Sequence, residues 1–418
     1  MNITPRLSPV AGCTLLLVAL VAGATACGGP DGHPLSAQPY DAADEISSNI
    51  PGGDEKADPD KPLEVTATGD DGRITDVTAV DGAGHHVAGE LAADGLRWHS
   101  TAPLAAGSRY SVKVSVEDDD GAPGTRTLSF ETAPAKKFLK VTFGPQAGTY
   151  GVGEPITAVL SAPVRNKASR AVVERSLKVR STPSVSGSWY WVDDKTLHYR
   201  PQEYWPARAS IVATSNLGGV KVTDKLYGAP TKALKITTGD RIEAITDAAT
   251  HSMTVKRNGE VINTIPVTTG RPGFDTRNGV KVVLSKEYSV RMRGETIGIS
   301  ANSDDGYDLQ VYYATRVTWS GEYVHAAPWS TGSQGYENVS HGCTGMSTSQ
   351  AEWFYNTVRT GDIVKVVNSA GPTMTPFDNG IGDWNLSWAN WQKGSALQNN
   401  ATPDRSDTIQ AARLRPEV

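Results

Sequence analysis

Cysteine is scarce: 418 residues hold only Cys13, Cys27 and Cys343. A disulfide framework for the body of the chain is thereby excluded. A basic excess is missing too. Lys and Arg number 40 against 45 Asp and Glu, a formal charge of -5, which removes the electrostatic footprint of a nucleic-acid binder. Neither a Cys-x-x-Cys nor a His-x-x-x-His pair occurs, so no run of ligands has the spacing of a zinc site. The one sustained apolar run, from Ala11 to Ala24, is too short to cross a bilayer comfortably.

That run has a use of its own. Arg6 precedes it and Ala24-Thr25-Ala26-Cys27-Gly28 closes it, giving the charged, apolar and small-residue regions of a secretory signal over residues 1–26. Small residues just before a cysteine resemble the bacterial lipobox, which implies cleavage before Cys27 and its lipidation. Plain signal-peptidase cleavage near Ala26 is the alternative. Either way the mature chain is expected outside the cytoplasm, and lipidation would anchor it to the outer face of the plasma membrane. Cys343 then stands as a lone exported thiol.

Residues 28–61 carry five prolines, eight acidic residues and few large apolar ones. On composition, residues 27–61 are expected to form a disordered tether. The chain beyond residue 61 is strand-rich, with 42 glycines and 25 prolines over the whole sequence punctuating short alternating segments. Tyr110 to Val116 alternates with period two, and the turn signals Gly69-Asp70-Asp71-Gly72 and Asp118-Asp119-Asp120-Gly121 separate such segments. Two β blocks, 62–136 and 137–238, are expected to be tandem immunoglobulin-like sandwiches. The second holds Trp189, Tyr190, Trp191, Tyr199, Tyr204 and Trp205, either a sugar platform or packing at a domain junction.

A third strand-rich block spans 239–370. Arg257-Asn258-Gly259 predicts a hairpin, and further strands are expected at 279–284, 309–313 and 363–367. Ser347 opens a predicted helix in which Ala351, Phe354 and Val358 keep helical spacing up to Gly361. Trp384, Trp388 and Trp391, at i, i+4 and i+7, predict that segment 371–398 docks on this third domain. Residues 399–418 read as a polar tail.

The chemistry concentrates in the third block. His325 is followed, after fourteen residues, by Ser340-His341-Gly342-Cys343. A thiol attacks only as its thiolate, and an unperturbed cysteine is only a few per cent ionised at neutral pH. An imidazole that accepts the proton and returns it to a leaving amine corrects this. Gly342 permits tight backbone geometry next to the sulfur, where the Cys343 N–H can face a substrate carbonyl. His341 can orient the loop or act as the base, and its closeness in sequence favours the first role.

Together with Ala326-Ala327-Pro328-Trp329 and Gly335-Tyr336, these residues resemble the signature of the L,D-transpeptidase (YkuD-like) catalytic domain. Gly306-Tyr307 and Gly382-Asp383-Trp384-Asn385, the tandem sandwiches and the lipobox are similar to its mycobacterial and actinobacterial branch. The resemblance implies Cys343 as nucleophile and His325 as general acid/base. It places Ser340, His341 and Gly342 as residues that shape the site, with the Tyr307 hydroxyl near the oxyanion. Met292, Trp329 and Tyr336 stand as substrate-binding candidates, with core packing the alternative for the first two.

The implied reaction joins peptidoglycan stem peptides, a donor tetrapeptide and an acceptor diamino acid, by 3→3 crosslinks with loss of D-Ala. No cofactor or metal is required, and carbapenem β-lactams are implied inhibitors. Two rival readings are L,D-carboxypeptidase action on tetrapeptide stems and a non-catalytic wall-binding lipoprotein. Many relatives carry Asn two positions after the cysteine, where this chain has Gly345.

Overall fold

The computed structural model describes residues 38–398, except 53–54 and 69–71. The expected signal sequence, Cys27, the start of the tether, part of the first turn signal and the polar tail lie outside the described residues. Among the described residues no helix is long and apolar enough to cross a membrane.

Alternating burial builds the first sandwich. Tyr110, Val112, Val114 and Val116 point inward from the strand Arg109–Glu117, and charged or polar residues between them face out. Arg109–Glu117 pairs with Arg73–Asp81 on one side and Pro123–Glu131 on the other, and a second four-stranded sheet covers the core.

The tether expectation fails over its described part. Tyr40–Asp41 pairs with Pro123–Glu131, and Ile46–Ser48 pairs with Glu64–Ala67, so both belong to this sandwich. Ala42, Ile46 and Ala57 are buried in its core. Acidic residues that read as disordering instead cap turns: Asp41 accepts from Ala43 N–H at 3.1 Å and Asp58 from Asp60 N–H at 2.9 Å. A segment with few apolar groups orders here because existing sheets offer it ladder partners and a ready apolar surface.

The second sandwich has two four-stranded sheets and a small three-stranded one. It also contains a helix, Lys167–Ser176, capped by the Asn166 side chain, which sequence reading did not anticipate. Trp189, Trp191, Tyr199 and Trp205 are buried in its core. That core continues through Val282 and Ile363 into the third domain and through Ala396 into the C-terminal segment. These four aromatics are therefore packing at a domain junction.

The third domain holds a five-stranded mixed sheet and a four-stranded sheet around a core that includes Met253, Val255, Val324, Met346 and Phe354. Its hairpin turns at Asn258 and Gly259, both with positive φ (52° and 95°), as the turn type demands. The helix Thr348–Thr357 starts from a Ser347 cap, whose hydroxyl accepts from Gln350 N–H.

The C-terminal segment docks on the third domain as expected, with Met374 N–H donating to Asn278 O at 2.9 Å and Trp319 N–H to Asn379 O at 3.2 Å, and it docks on the second sandwich as well. Its tryptophans dock chiefly on the second sandwich: the Trp391 indole donates to Ser188 O at 2.9 Å and the Trp384 indole to Gly153 O at 2.8 Å. Arg200 lies over Trp384, Trp388 and Trp391 at 4.7, 5.6 and 4.5 Å. The sandwich supplies this cation and exposed carbonyls, partners that an apolar stripe alone does not announce. Asn385 adds a further contact with the third domain, its amide bonding both backbone groups of Val280.

Candidate active site

Two adjacent strands create the site. Tyr323–Ala326 runs parallel to Thr344–Met346, with His325 directly opposite Gly345. Cys343 precedes Gly345 by two residues and so projects on the same side of its chain. The sequence spacing is thereby folded so that His325 and Cys343 line the same cleft. Gly345, between them on the ladder, has little room for a side chain. A Cβ there would lie 3.0 Å from Ala327 Cβ and 3.1 Å from the Thr268 methyl, so the asparagine common in relatives would need both to give way.

Imidazole and thiol open into one cleft of about 260 Å³, lined also by Thr268, Met292, Tyr307, Leu309, Val311 and Trp329. A second recess, lined by Arg277, Ser320, Gly321 and Glu322, meets the first at Tyr307, His341 and Cys343. The sulfur thus stands where two recesses join.

His325 is buried, 5% exposed, and its Nδ1 lies 2.8 Å from the Ala326 carbonyl oxygen. A carbonyl can only accept, so Nδ1 carries the proton and Nε2 of the neutral ring keeps its lone pair. Burial lowers the pKa of His325 below the ordinary 6.5. Cys343 is half-buried, and dense packing around the sulfur pushes the thiol up to about 11, opposed by the Tyr323 N–H. Both effects favour a neutral resting pair. At rest the sulfur is therefore held as the thiol.

One consequence is measurable. His325 accepts a proton only when neutral, above its own pKa, and a lowered pKa moves that limit toward acid. The acidic limb of kcat/KM is expected below pH 6.5, the ordinary histidine value. A limb above pH 6.5 in a pH–rate profile would contradict it.

The remaining candidates divide. Ser340 Oγ donates to the Cys343 carbonyl at 2.6 Å and accepts from Gly342 N–H at 3.1 Å, bracing the loop. Gly342 has φ +116°, open only to glycine at low cost. His341 Nε2 accepts from Arg271 at 2.9 Å, so its lone pair is engaged and the ring serves as a wall, 4.9 Å from Tyr307 centre to centre. Arg271 is itself paired with Asp305.

Met292, Tyr307 and Trp329 line the cleft, and Trp329 is 54% exposed at its edge. Tyr336 does not. It is 82% exposed outside the cleft, because the turn at Gly335 (φ +87°) directs the chain away.

Sequence reading missed Thr268, Leu309, Val311 and Ser330 in the cleft, and a buried pair, Lys281–Glu322, beside it. Alternation along 309–313 could have placed Leu309 and Val311 on one face. A lysine among Val280, Val282 and Val283 was likewise a visible signal.

A thiol and an imidazole with a free lone pair that line one cleft are the groups that thiol-dependent acyl transfer requires. Comparison with known proteins gives the class its name. Residues 241–366 match the family profile described as the L,D-transpeptidase catalytic domain, and residues 54–221 match the bacterial Ig domain.

L,D-transpeptidase 2 of Mycobacterium tuberculosis (strain CDC 1551 / Oshkosh) is 35% identical over 391 residues, covering 91% of this chain and 94% of the relative. L,D-transpeptidase 5 of Mycobacterium tuberculosis (strain ATCC 25618 / H37Rv) is 31% identical over 335 residues, 78% of this chain and 72% of the relative. A solved structure of the LD transpeptidase LdtMt1 in complex with imipenem is 36% identical, covering 55% of this chain and all of that one, with a TM-score of 0.48. The chain belongs to the L,D-transpeptidase family, and it is an enzyme of that kind.

Proposed function

We propose that this L,D-transpeptidase forms 3→3 crosslinks between peptidoglycan stem peptides through a thioester on Cys343. The observation that supports the reading is that His325 and Cys343 line one open cleft, with His325 opposite Gly345, two residues beyond the cysteine. His325 takes the thiol proton as the sulfur adds to the carbonyl of the third residue of a tetrapeptide. It then returns that proton to the amine of D-Ala as the peptide bond breaks. The side-chain amine of a position-three diamino acid on a second stem attacks the thioester, loses a proton to His325 and restores the thiol. Tyr307, beside His341 at the cleft wall, is the hydroxyl assigned to the developing oxyanion.

The junction of two recesses at the sulfur favours transfer over hydrolysis, since transfer needs room for a donor and an acceptor peptide. The test is incubation with a tetrapeptide muropeptide. Crosslinked dimer supports the reading, tripeptide alone identifies an L,D-carboxypeptidase, and unchanged substrate identifies a non-catalytic wall-binding protein.

The same thiol is proposed as the target of carbapenems. A thiolate opens the strained β-lactam carbonyl to a thioester, and all of the drug's atoms are retained. Intact-protein mass spectrometry is expected to show an increase of one drug mass; an unshifted mass after prolonged incubation would count against Cys343 as an accessible nucleophile. Lipidation at Cys27 and residence outside the plasma membrane, within the wall, are proposed on the lipobox-like motif, and globomycin-sensitive processing tests them.

A further inference from the structure

Crosslinking as derived leaves one buried ionic group without a role. Lys281, 1% exposed, sits on the strand Gly279–Val282 and reaches Glu322 Oε2 with its Nζ at 2.6 Å. The other carboxylate oxygen of Glu322 accepts from the backbone N–H of Arg277 at 3.0 Å and from its Nη1 at 3.2 Å. Taking two charges out of water is costly, and apolar residues of similar size commonly serve stability as well or better. Lys281 lies between Val280 and Val282, where an apolar side chain would continue the core. Stability alone does not account for the group.

Its position next to the sulfur does. Glu322 stands between Gly321, whose carbonyl lies 3.6 Å from Cys343 Sγ, and Tyr323, whose N–H is directed at that sulfur. Anchoring the Glu322 side chain on two cations therefore fixes the turn that presents one acceptor and one donor to the thiol. The charges of Arg277, Lys281 and Glu322 sum to +1. At the sulfur the Glu322 carboxylate opposes the thiolate and the Lys281 ammonium favours it, the carboxylate more strongly; burial lowers the pKa of Lys281 and Glu322 raises it.

We propose that the Arg277–Glu322–Lys281 group is a positioning device, which holds the 321–323 turn against Cys343 and sets the Lys281 cation against the Glu322 carboxylate that would otherwise oppose the thiolate unchecked. Other ionisable groups face the sulfur from different elements. Tyr307 and Tyr323 interact with its charge, and neither is ionised at neutral pH. His325 and His341 share its cleft. None of these is a cation at neutral pH, so Lys281 is the positive charge that acts on the sulfur. The inference rests on Cys343 being the nucleophile, yet it concerns the ionisation of the sulfur and is tested without turnover.

The experiment is the rate of Cys343 alkylation by iodoacetamide between pH 6 and 10, with folding followed by circular dichroism. Below the thiol pKa this rate follows the thiolate fraction, so a pKa higher by about one slows alkylation about tenfold. Lys281→Met leaves the group with a net charge of zero and is expected to slow alkylation about tenfold at fixed pH, the effect of one nearby charge. Lys281→Met combined with Glu322→Gln restores the net charge to +1 and is expected to recover most of that loss. Damage to packing alone would not be repaired by a second substitution. Should Lys281→Met fail to fold, Glu322→Gln carries the test, with faster alkylation expected.

Superimposable profiles for wild type and Lys281→Met, or a double variant as slow as the single, would overturn the proposal. So would Glu322→Gln alkylation that is unchanged or slower. If the muropeptide assay fails while these changes in alkylation rate are seen, the crosslinking reading is lost and the device stands.

Discussion

Cys343→Ala is expected to abolish both dimer formation from tetrapeptide muropeptides and the carbapenem mass increase, with turnover reduced at least about 10⁴-fold, the scale of losing a covalent nucleophile. The fold should survive. Cys343 is half-buried, and the sulfur makes one long hydrogen bond, 3.6 Å to Gly321 O. His325→Gln separates the two members of the pair. It keeps the nucleophile but removes the base, and should cost about 10²- to 10⁴-fold. Its rate should then climb about tenfold per pH unit toward the thiol value of about 11, because hydroxide replaces imidazole as the proton acceptor. A His325→Gln enzyme whose rate is flat between pH 7 and 9 would mean that thiol deprotonation does not limit the reaction.

Cys343 and His325, proposed as nucleophile and base, were legible as candidates in the sequence because their order and spacing are a chain property. The ladder that joins them is not: nothing in 325–343 states that His325 pairs with Gly345. The role of His341 followed the same pattern. Its closeness to the cysteine was visible, while the Arg271 contact that engages its lone pair comes from 70 residues upstream. Tyr336 was misplaced because it shares a motif with the site but not a direction, which a positive φ at Gly335 decides.

The segment 40–61 was misread for a related reason. Composition describes what a segment can bury by itself, and Ile46–Ser48 buries itself against strands that composition does not see. Hairpins, caps and alternating strands were read well because turn chemistry and period are local. Docking is not local: the expected contact with the third domain forms, but the tryptophan stripe also finds Arg200 on another domain, which the stripe itself does not announce.

That docking carries the second large effect. Trp391 is fully buried, packs on Tyr190 and Phe377 at centroid distances of 5.0 and 6.1 Å, and covers Arg200. Trp391→Ala is expected to cost about 3–5 kcal/mol, the range for a buried tryptophan. It also leaves the Ser188 carbonyl without its indole donor and uncovers a guanidinium that burial already holds down at about 10. A melting transition about 10 °C lower should result, with earlier proteolytic cleavage near residues 383–398.

The effect should not stop at the second sandwich. Gly279–Val282 is an edge strand of the catalytic domain's sheet, and Asn385 satisfies both backbone groups of Val280 on that free edge. Lys281 is the next residue. Loosening the C-terminal segment therefore loosens the strand that carries the cation behind the sulfur, and Trp391→Ala should slow Cys343 alkylation although the indole touches nothing in the cleft. A variant that melts early but alkylates at the wild-type rate would confine the segment to holding the sandwich; one with wild-type melting and proteolysis would remove the dock itself.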